Sequence, residues 1–319
     1  MLRDPNCHVV VRSAGERTEQ ACLALVQAQL KDDSQCTLIR AIPFEEALRE
    51  TYRVGIRSGA AWTITVDADV LLFSSAIAQL VGLAEGAPPG LCMIQGRVFD
   101  RVSGSYRPAG FRCYRSQHLE RALALVPQDG VELQPEYSTL CEMAKLGLFS
   151  RFAPNPFGLH DYEQYLRDLY RKAFIHAKKH PEWVGAILGR CGQNLDSSDD
   201  FPVIARGLWD GALSRKSAAI DVRFQHGSSK AALRELGLLE RSPITQEELA
   251  SFFIPGSLEA LLEYPADALP TFDQAYVQTL GQRVARAIRD EGPIRGSVGL
   301  IGRALARLGR AIEGRNTQR

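Results

Sequence analysis

Two aspartates interrupt an apolar stretch between Trp62 and Leu72, and this feature constrains the fold most. The stretch is apolar and β-branched at its start, Asp67 and Asp69 follow with one residue between them, and apolar residues then resume. Such a run predicts a buried strand that ends at the first aspartate. Because an unpaired buried carboxylate is costly, we expect the pair to be held by a cation, by hydrogen bonds or by solvent.

The aspartate pair supports two interpretations. Carboxylate oxygens are hard ligands that suit Mg²⁺ or Mn²⁺, and such an ion can bridge to the phosphates of a substrate. In the alternative, the pair lies in a solvated turn and Asp69 caps a helix that begins near Ser74. An Asp-x-Asp pattern is weak alone, but its place after a buried strand favours the metal interpretation.

The composition excludes several classes of protein. The 319 residues, 45% of them hydrophobic, suffice for one large globular domain or two of ordinary size. The 38 Lys and Arg nearly balance the 37 Asp and Glu, which gives no reason to expect a nucleic-acid partner. The seven cysteines are scattered, which argues against a disulfide framework and a structural zinc site. We expect no membrane span and no secretory signal, and therefore a cytoplasmic protein.

Strands and helices alternate up to about residue 100. Short strands are predicted at Cys7 to Val11 and Thr37 to Ile39, and apolar residues at helical spacing follow each of them. This alternation predicts a mostly parallel sheet covered on both faces. Ligands bind at the carboxyl edge of such a sheet, so Ser13, Arg17 and the two aspartates are expected to converge there. In the alternative, Arg12 and Arg17 lie in a solvated turn.

The order of these parts resembles the nucleotide-sugar-dependent glycosyltransferases of the GT-A fold, family 2 among them. The resemblance covers roughly residues 7 to 175 and is carried by Val9-Val10-Val11-Arg12-Ser13, Tyr52-Arg53-Val54-Gly55-Ile56 and the run from Gly59 to Asp69. It implies an α/β, Rossmann-like catalytic domain over residues 1–180 and a mainly helical region over 181–319. The family often has Asn where Arg53 stands, so nucleotide recognition must differ in detail.

The resemblance also implies an activity and its ligands. It indicates a hexosyl or related transferase that moves a sugar from a nucleotide-sugar donor to a hydroxyl acceptor, such as a cell-envelope or lipid-linked glycan in polysaccharide biosynthesis. The cofactor would be Mn²⁺ or Mg²⁺, held by Asp69, Asp67 and His160. The donor would be bound by Arg12, Ser13, Arg17, Arg53 and Asp67.

His160 is assigned to the metal by its order and context, since several GT-A enzymes complete the metal sphere with a late histidine. It follows Gly158 and the loop-like Pro154-Asn155-Pro156. Imidazole is a reasonable Mn²⁺ ligand, and the neighbouring Asp161 could orient it. In the alternative, His160 is an ordinary residue at a helix N-terminus, where acids such as Asp161 suit the dipole.

A transfer that inverts the anomeric centre needs a carboxylate to take the proton of the acceptor hydroxyl. Four acids lie in the appropriate part of the chain, and we favour Asp161 and then Glu136 over Glu132 and Glu142. A retaining reaction would need no base in the same place.

Two segments near these acids are interpreted from their residue pattern. Gly110 to Arg115 is predicted to be an edge strand that leads into a helix, in a region that tends to face the acceptor in GT-A enzymes. Tyr165 to His180 has an apolar stripe opposite charged residues, which indicates a solvated face above a core face. The charged residues are Arg167, Asp168, Arg171, Lys172, Lys178 and Lys179.

The chain beyond residue 180 is predicted to be largely helical. Gly185 to Phe201 is interpreted as a flexible linker, and five helical segments are expected after it. Thr245 and Glu248 have the spacing of a capping box at the start of one of them.

The segment from Arg283 to Arg319 has nine arginines and three acids. Within it, residues 296–312 form a basic amphipathic helix pattern that can lie on an anionic membrane surface, which would put the protein at the inner face of the membrane. In the alternative, the apolar stripe docks on the protein itself or on a second subunit of a homo-oligomer.

Two functions from other classes remain open. A haloacid-dehalogenase-like phosphatase also uses Asp-x-Asp after an apolar strand, with the first aspartate as nucleophile. That motif normally lies on the first strand of its domain, whereas here about sixty residues precede it. A non-catalytic protein that binds nucleotide-sugars or glycans on the same scaffold is the second alternative.

Overall fold

The computed structural model describes residues 6–215, 221 and 224–262. They belong to the first of two compact units, residues 1–274, and the second unit, residues 275–319, lies outside the described part. The amphipathic segment over 296–312 and its predicted membrane or subunit contact therefore fall outside it as well. In the described part, every helix is too short or too polar to cross a bilayer.

Seven strands and ten α-helices form the described part of the chain, joined by loops and short 3-10 helices. The strands are β1 (Cys7–Arg12), β2 (Cys36–Ile39), β3 (Trp62–Asp67), β4 (Val70–Leu72), β5 (Leu91–Asp100), β6 (Ser105–Arg115) and β7 (Phe149–His160). The helices are α1 (Glu19–Gln27), α2 (Phe44–Ser58), α3 (Ala76–Glu85), α4 (Leu119–Ala124), α5 (Pro135–Lys145), α6 (Leu166–Lys179), α7 (Val184–Gln193), α8 (Asp200–Leu213), α9 (His226–Glu235) and α10 (Gln246–Ser251).

All seven described strands join one sheet in the order β2-β1-β3-β6-β5-β7-β4. The pairing is parallel for β1 with β2, β1 with β3 and β5 with β7, and it is antiparallel for the other three pairs. Five strands therefore run in one direction, and only β6 and β4 among those described run against them. The predicted fold class, α/β with a mostly parallel sheet of Rossmann type and a helical portion after it, is confirmed.

Side-chain alternation along β1 explains why helices cover both faces of the sheet. Val9 and Val11 point to one face, where they share a core with residues of α1 and α3. Val10 points to the other face and packs with Val54 of α2. Gly59 ends α2 in the left-handed conformation (φ 67°), which brings the chain directly back into β3.

A second hydrophobic core lies among the helices that follow the sheet. It joins residues of α6, α7, α8 and α9, and Val102 from the turn between β5 and β6 packs into it. Helices α6 and α8 approach closely because Gly207 has no side chain; a Cβ there would lie 2.4 Å from the backbone oxygen of Tyr170. The predicted domain boundary near residue 180 stays a prediction.

Three local predictions are wrong and one is confirmed. The segment 110–115 is not an edge strand, because β6 lies between β3 and β5. Residues 154–156 belong to β7 rather than to a loop, and α7 occupies much of the predicted linker over 185–201. The capping box is present, with the Thr245 hydroxyl accepting from Glu248 N and the Glu248 carboxylate accepting from Thr245 N.

Candidate functional site

The two aspartates lie where the chain crosses from the middle of the sheet to its edge. Asp67 ends β3, which pairs with β1 and β6, whereas Asp69 precedes β4, which pairs with β7. The crossing is fixed by backbone hydrogen bonds, from Ala68 N to Arg12 O at 2.9 Å and from Asp161 N to Asp69 O at 3.1 Å. The two carboxylates consequently join different groups of side chains.

The first group, called the Asp69 cluster, consists of Asp69, Asp100, His160, Asp161 and Lys172. His160 Nδ1 lies 2.7 Å from Asp100 Oδ2 and 3.2 Å from Asp161 Oδ2, and its Nε2 lies 3.6 Å from Asp69 Oδ1. The ammonium group of Lys172 donates to both Asp69 Oδ2 and Asp161 Oδ1. Asp69 is only 7% exposed and Asp161 only 1%, so the ion pairs of this cluster are largely shielded from water.

The titration of the Asp69 cluster follows from these contacts. Burial alone would raise the pKa of Asp69, but Lys172 and His160 hold it below its ordinary value. Burial would lower the pKa of His160, yet Asp161, Asp69 and Asp100 raise it to about 10. The pKa of Lys172 is likewise raised by Asp161 and Asp69 against the effect of burial. The charged forms of all three groups therefore stabilise one another.

The Asp69 cluster has the ligand chemistry that a divalent cation needs. Asp69, His160 and Asp161 each offer one ligand atom, and these atoms lie within 4.8 Å of one another. Oδ1 of Asp69 is buried and has no hydrogen-bond partner among the described residues, which leaves a ligand oxygen available. Two carboxylates and an imidazole suit Mn²⁺. The residues present therefore fit the predicted ion, with the ammonium group of Lys172 and the proton that His160 carries at neutral pH as competing positive charges.

The second group, called the Arg12 cluster, consists of Arg12, Asp67, Arg112, Tyr114 and Glu136. Arg12 Nε donates to Asp67 Oδ1 at 2.7 Å, and its Nη1 lies 3.2 Å from Glu136 Oε1. Glu136 also accepts from the Tyr114 hydroxyl at 2.5 Å and pairs with Arg112 Nη1 at 2.9 Å. Arg12 thus links the end of β1 to the end of β3 and to α5.

Burial and guanidinium groups act on the two acids of the Arg12 cluster in opposite directions. Burial would raise the pKa of Glu136, but Arg112, Arg12 and Tyr114 hold it below its ordinary value. For Asp67, burial is the largest effect and raises the pKa, although Arg12 opposes it. Glu136 is therefore an anion held by three donors, which makes it a poor proton acceptor.

The loop after β1 faces both clusters. The Glu16 carboxylate accepts from Ser13 Oγ at 3.0 Å and from Ala14 N at 2.7 Å, which gives the loop a fixed conformation. Burial, and then the charge of Asp69, raise the pKa of Glu16, so this acid lies near the Asp69 cluster. Thr18 Oγ1 donates to Ala68 O at 2.7 Å and attaches the loop to the aspartate crossing.

Arg17 and Arg53 are engaged by groups outside the two clusters. Arg17 is buried, and its guanidinium donates to Ser242 O at 2.7 Å and pairs with Glu163 and Glu248 at 3.0 and 2.7 Å. It therefore joins the loop after β1 to the helical region. Arg53 pairs with acids one or two turns away on α2, Glu46 at 2.7 Å and Glu50 at 3.4 Å.

The structure does not agree with the alternative interpretations of Asp69, His160, Arg12 and Arg17. The N-terminal cap position of α3 is Ser75, and its helix has no side-chain cap from Asp69. His160 is the last residue of β7 and not part of a helix N-terminus, because α6 begins at Leu166. Arg12 and Arg17 are buried rather than solvated.

The sequence reasoning missed two residues of the Asp69 cluster and misread the face of α6. Asp100 ends β5, which runs in the direction of β1 and β3, so the rule that selected Asp67 could have found it. The residue pattern of α6 predicts a solvated face for Lys172 and Arg171, yet Lys172 pairs with two buried acids and Arg171 is 8% exposed. No sequence pattern indicates that helix α6 passes beside Asp69 and Asp161.

Comparison with known proteins gives distant structural likeness only. No protein-family model matches the sequence, and no curated protein does so significantly. The mannosyltransferase PcManGT from Pyrobaculum calidifontis, solved with GDP-Man and Mn²⁺, is 14% identical with a TM-score of 0.41, over 93% of this chain and 87% of that one.

Two further solved structures are similar over a smaller share of the chain. A glycosyltransferase involved in the glycosylation of the major capsid of PBCV-1 is 13% identical with a TM-score of 0.34, over 47% of this chain and 80% of that one. A197 from STIV is 12% identical with a TM-score of 0.31, over 42% and 75%. At these scores the activity has to be inferred from the chain's own residues.

Proposed function

We propose that this chain is a metal-dependent glycosyltransferase of the GT-A type that moves a sugar from a nucleotide-sugar donor to a hydroxyl acceptor, such as a cell-envelope or lipid-linked glycan. The observation that carries the proposal is the convergence of Asp69, His160 and Asp161 beside the carboxyl ends of β3 and β5, with one oxygen of Asp69 making no hydrogen bond to any described residue. These three residues would hold Mn²⁺ or Mg²⁺, which when bound supplies positive charge to the diphosphate leaving group.

The loop after β1 and the Arg12 cluster would position the donor. Arg12 binds the carboxylates of both Asp67 and Glu136. The Asp67 carboxylate therefore has a fixed orientation next to the Asp69 cluster. Ser13 and the backbone of the same loop supply further polar groups at this edge. In the proposal, Asp67 contacts the nucleotide-sugar rather than sharing the metal, since its carboxylate is engaged by Arg12.

Asp161 remains our first candidate for the group that takes the proton of the acceptor hydroxyl, and Glu136 is the second. Glu136 is held by Arg12, Arg112 and Tyr114, which argues for a positioning role instead. Two measurements separate a base from a ligand at Asp161. Loss of a ligand weakens Mn²⁺ binding, whereas loss of a base lowers kcat even when Mn²⁺ is saturating.

The proposal is tested by thermal unfolding with nucleotide-sugars, each with and without Mn²⁺. GDP-mannose is the first donor to try, followed by UDP-, CMP- and dTDP-sugars. We expect one nucleotide class to raise Tm only when Mn²⁺ is present, because the ion joins the diphosphate to the protein. Asp69→Asn should abolish this shift, and the exposed Asp196→Asn, the same chemical change, should leave it unchanged.

Other outcomes of the same screen favour the alternative functions. Stabilisation by simple phosphate esters with Mg²⁺ alone, together with their hydrolysis, would support the phosphatase. A Mn²⁺-dependent nucleotide-sugar shift without transfer to any glycan or water would support a binding protein.

A further inference from the structure

Asp100 and His160 contact each other through both backbone and side chain. They end the parallel strands β5 and β7, where they are register partners. Arg101 N donates to His160 O at 2.9 Å, and Asp100 Oδ2 lies 2.7 Å from His160 Nδ1. Asp100 is fully buried. The sheet therefore fixes the position of the Asp100 carboxylate beside the imidazole of the Asp69 cluster.

The turn between β5 and β6 fixes the orientation of the Asp100 carboxylate. Its Oδ1 accepts from Ser103 N at 2.6 Å, and its Oδ2 accepts from Arg107 Nε at 2.7 Å. Gly104 N donates to the backbone oxygen of Asp100 at 2.8 Å and closes the turn. Because both carboxylate oxygens accept from groups of this turn, the carboxylate meets His160 in a defined orientation.

Asp100 is engaged differently from the three residues that we assign to the ion. Asp69, His160 and Asp161 form the group, among the residues that the structure describes, whose ligand atoms all lie within 4.8 Å of one another. Asp100 is not a member of that group, and both of its oxygens already accept hydrogen bonds. The contact through which Asp100 can influence an ion is its hydrogen bond with His160.

The two ring nitrogens of His160 have different partners. An ionised carboxylate only accepts hydrogen bonds, so Nδ1 carries a proton and donates it to Asp100. Nε2 lies 3.6 Å from Asp69 Oδ1, the oxygen that makes no hydrogen bond to any described residue. A metal ion binds an imidazole nitrogen that carries no proton. Nε2 is therefore the nitrogen that would release its proton and become the ligand.

Asp161 also approaches Nδ1 of His160, but less closely than Asp100 does. Its Oδ2 lies 3.2 Å from Nδ1, compared with 2.7 Å for Asp100 Oδ2. The shorter distance is that of a charge-assisted hydrogen bond. The other oxygen of Asp161 accepts from the ammonium group of Lys172. We therefore assign the Nδ1 proton to Asp100, which leaves Asp161 available to the ion.

We propose that Asp100 is a positioning residue of the metal site, which holds the Nδ1 proton of His160 and thereby makes Nε2 the ligand atom. The inference rests on the proposed function, because that function assigns the metal to the Asp69 cluster. A carboxylate behind a ligating histidine fixes the ring and makes it a stronger ligand, and its loss typically lowers metal affinity by about 10–100-fold. The turn that orients Asp100 then becomes part of the metal site.

The first test is proton NMR of the full chain without metal. A ring proton held by a carboxylate at this distance gives a signal far downfield, and its absence in His160→Gln assigns it. We expect the signal to be lost or moved upfield in Asp100→Asn and to persist in Asp161→Asn. A signal that is unchanged in Asp100→Asn would overturn the proposal, because another group would then hold the Nδ1 proton.

The second test measures Mn²⁺ affinity by electron paramagnetic resonance, without nucleotide. Asp100→Asn should weaken Mn²⁺ at least about tenfold. The same change made in His160→Gln should have little further effect, because Asp100 acts through the ring that this variant lacks. Equal effects of Asp100→Asn in the two backgrounds would overturn the proposal, since Asp100 would then act through its charge or through the fold.

Asp200→Asn is the matched control for damage to the turn. Asp200 is also a buried acid, 4% exposed, and its Oδ2 accepts from Arg101 Nε at 2.7 Å at the start of the same turn. This variant should keep the downfield signal and the Mn²⁺ affinity of the wild type. Losses equal to those of Asp100→Asn would overturn the proposal, because displacement of the turn would explain both variants.

The outcomes distinguish this inference from the proposed function. A wild-type protein that binds Mn²⁺ in an Asp100-dependent manner, but binds no nucleotide-sugar, would contradict the transferase and support the role of Asp100. Wild-type Mn²⁺ affinity in Asp100→Asn would overturn that role even if nucleotide-sugars bind.

Discussion

Lys172 pairs with one oxygen of Asp69 while the other oxygen of the same carboxylate has no hydrogen-bond partner among the described residues. The same ammonium group also contacts Asp161. A lysine ammonium and a divalent cation carry the same sign of charge and would use the same oxygens. Lys172 therefore neutralises the buried acids in the metal-free protein and competes with an ion for them.

Lys172→Met should destabilise the metal-free protein and increase its response to Mn²⁺. Removing one partner from a buried ion pair leaves the acids uncompensated and costs roughly 3–5 kcal/mol. With Lys172 gone, only the proton on His160 competes with Mn²⁺, so the ion should recover much of that loss. The measurement is urea unfolding with and without Mn²⁺, together with Mn²⁺ affinity from electron paramagnetic resonance.

Lys145→Met controls for the loss of a surface lysine and should change neither quantity. A Lys172→Met protein that binds Mn²⁺ more weakly than the wild type would contradict the competition, because Lys172 would then support the metal site.

Asp161→Asn and Asp67→Asn should differ in their effect on Mn²⁺. Asp161 belongs to the set of groups that can reach one ion with Asp69 and His160, whereas the Asp67 carboxylate is held by Arg12. We expect Asp161→Asn to weaken Mn²⁺ at least about tenfold, as loss of a ligand does, and Asp67→Asn to change it much less. Equal losses in the two variants, measured by calorimetry with Mn²⁺ alone, would restore Asp67 as a ligand.

The sequence predicted the parallel part of the fold because local patterns control it. The apolar run before Asp67 and the helical spacing of α2 are local, and the predicted bounds of α2, Phe44 to Ser58, agree with the structure. The position of β6 could not be predicted in the same way. Its place between β3 and β5 depends on long-range pairing, whereas its own residues, which include three arginines and Pro108, are typical of an edge strand.

The candidate site was predicted in part for the same reason. Asp67 and Asp69 follow a strand end and were found, and His160 was found from its order in the chain. That Asp69 and Asp67 would join different clusters depends on β4 crossing to the far side of the sheet, which no local pattern indicates. Lys172 reaches the site only through the packing of α6, so its pairing could not be read from its helix alone.

Gly207→Ala should destabilise the protein although alanine favours helices by about 1 kcal/mol over glycine. A Cβ at this position of α8 would lie 2.4 Å from the backbone oxygen of Tyr170, so the two helices would have to separate. We expect a net loss of roughly 1–3 kcal/mol in urea unfolding, as for other overpacked cores.

Gly189→Ala is the matched control, since Gly189 lies inside α7 and a Cβ there meets no atom within 4 Å. It should be neutral or stabilising. A Gly207→Ala protein as stable as Gly189→Ala would show that α6 and α8 do not approach as closely as described.

Lys179 should make the stability of the wild-type protein rise with pH. Burial, Arg107 and Arg171 lower its pKa to about 7 from the ordinary value of 10.5, which the unfolded chain retains. Between about pH 7 and pH 10 the unfolded chain therefore binds more protons at Lys179 than the folded protein, so this residue adds stability as pH increases.

Lys179→Met lacks that contribution. The unfolding free energy of the wild type minus that of Lys179→Met, from urea titrations in phosphate-free buffers, should increase from pH 7 to pH 9. The increase should be at most about 1.4 kcal/mol per pH unit. The corresponding difference for Lys145→Met serves as the control. A difference that stays constant or decreases over this range would mean that burial, Arg107 and Arg171 do not lower the pKa of Lys179 in the folded protein.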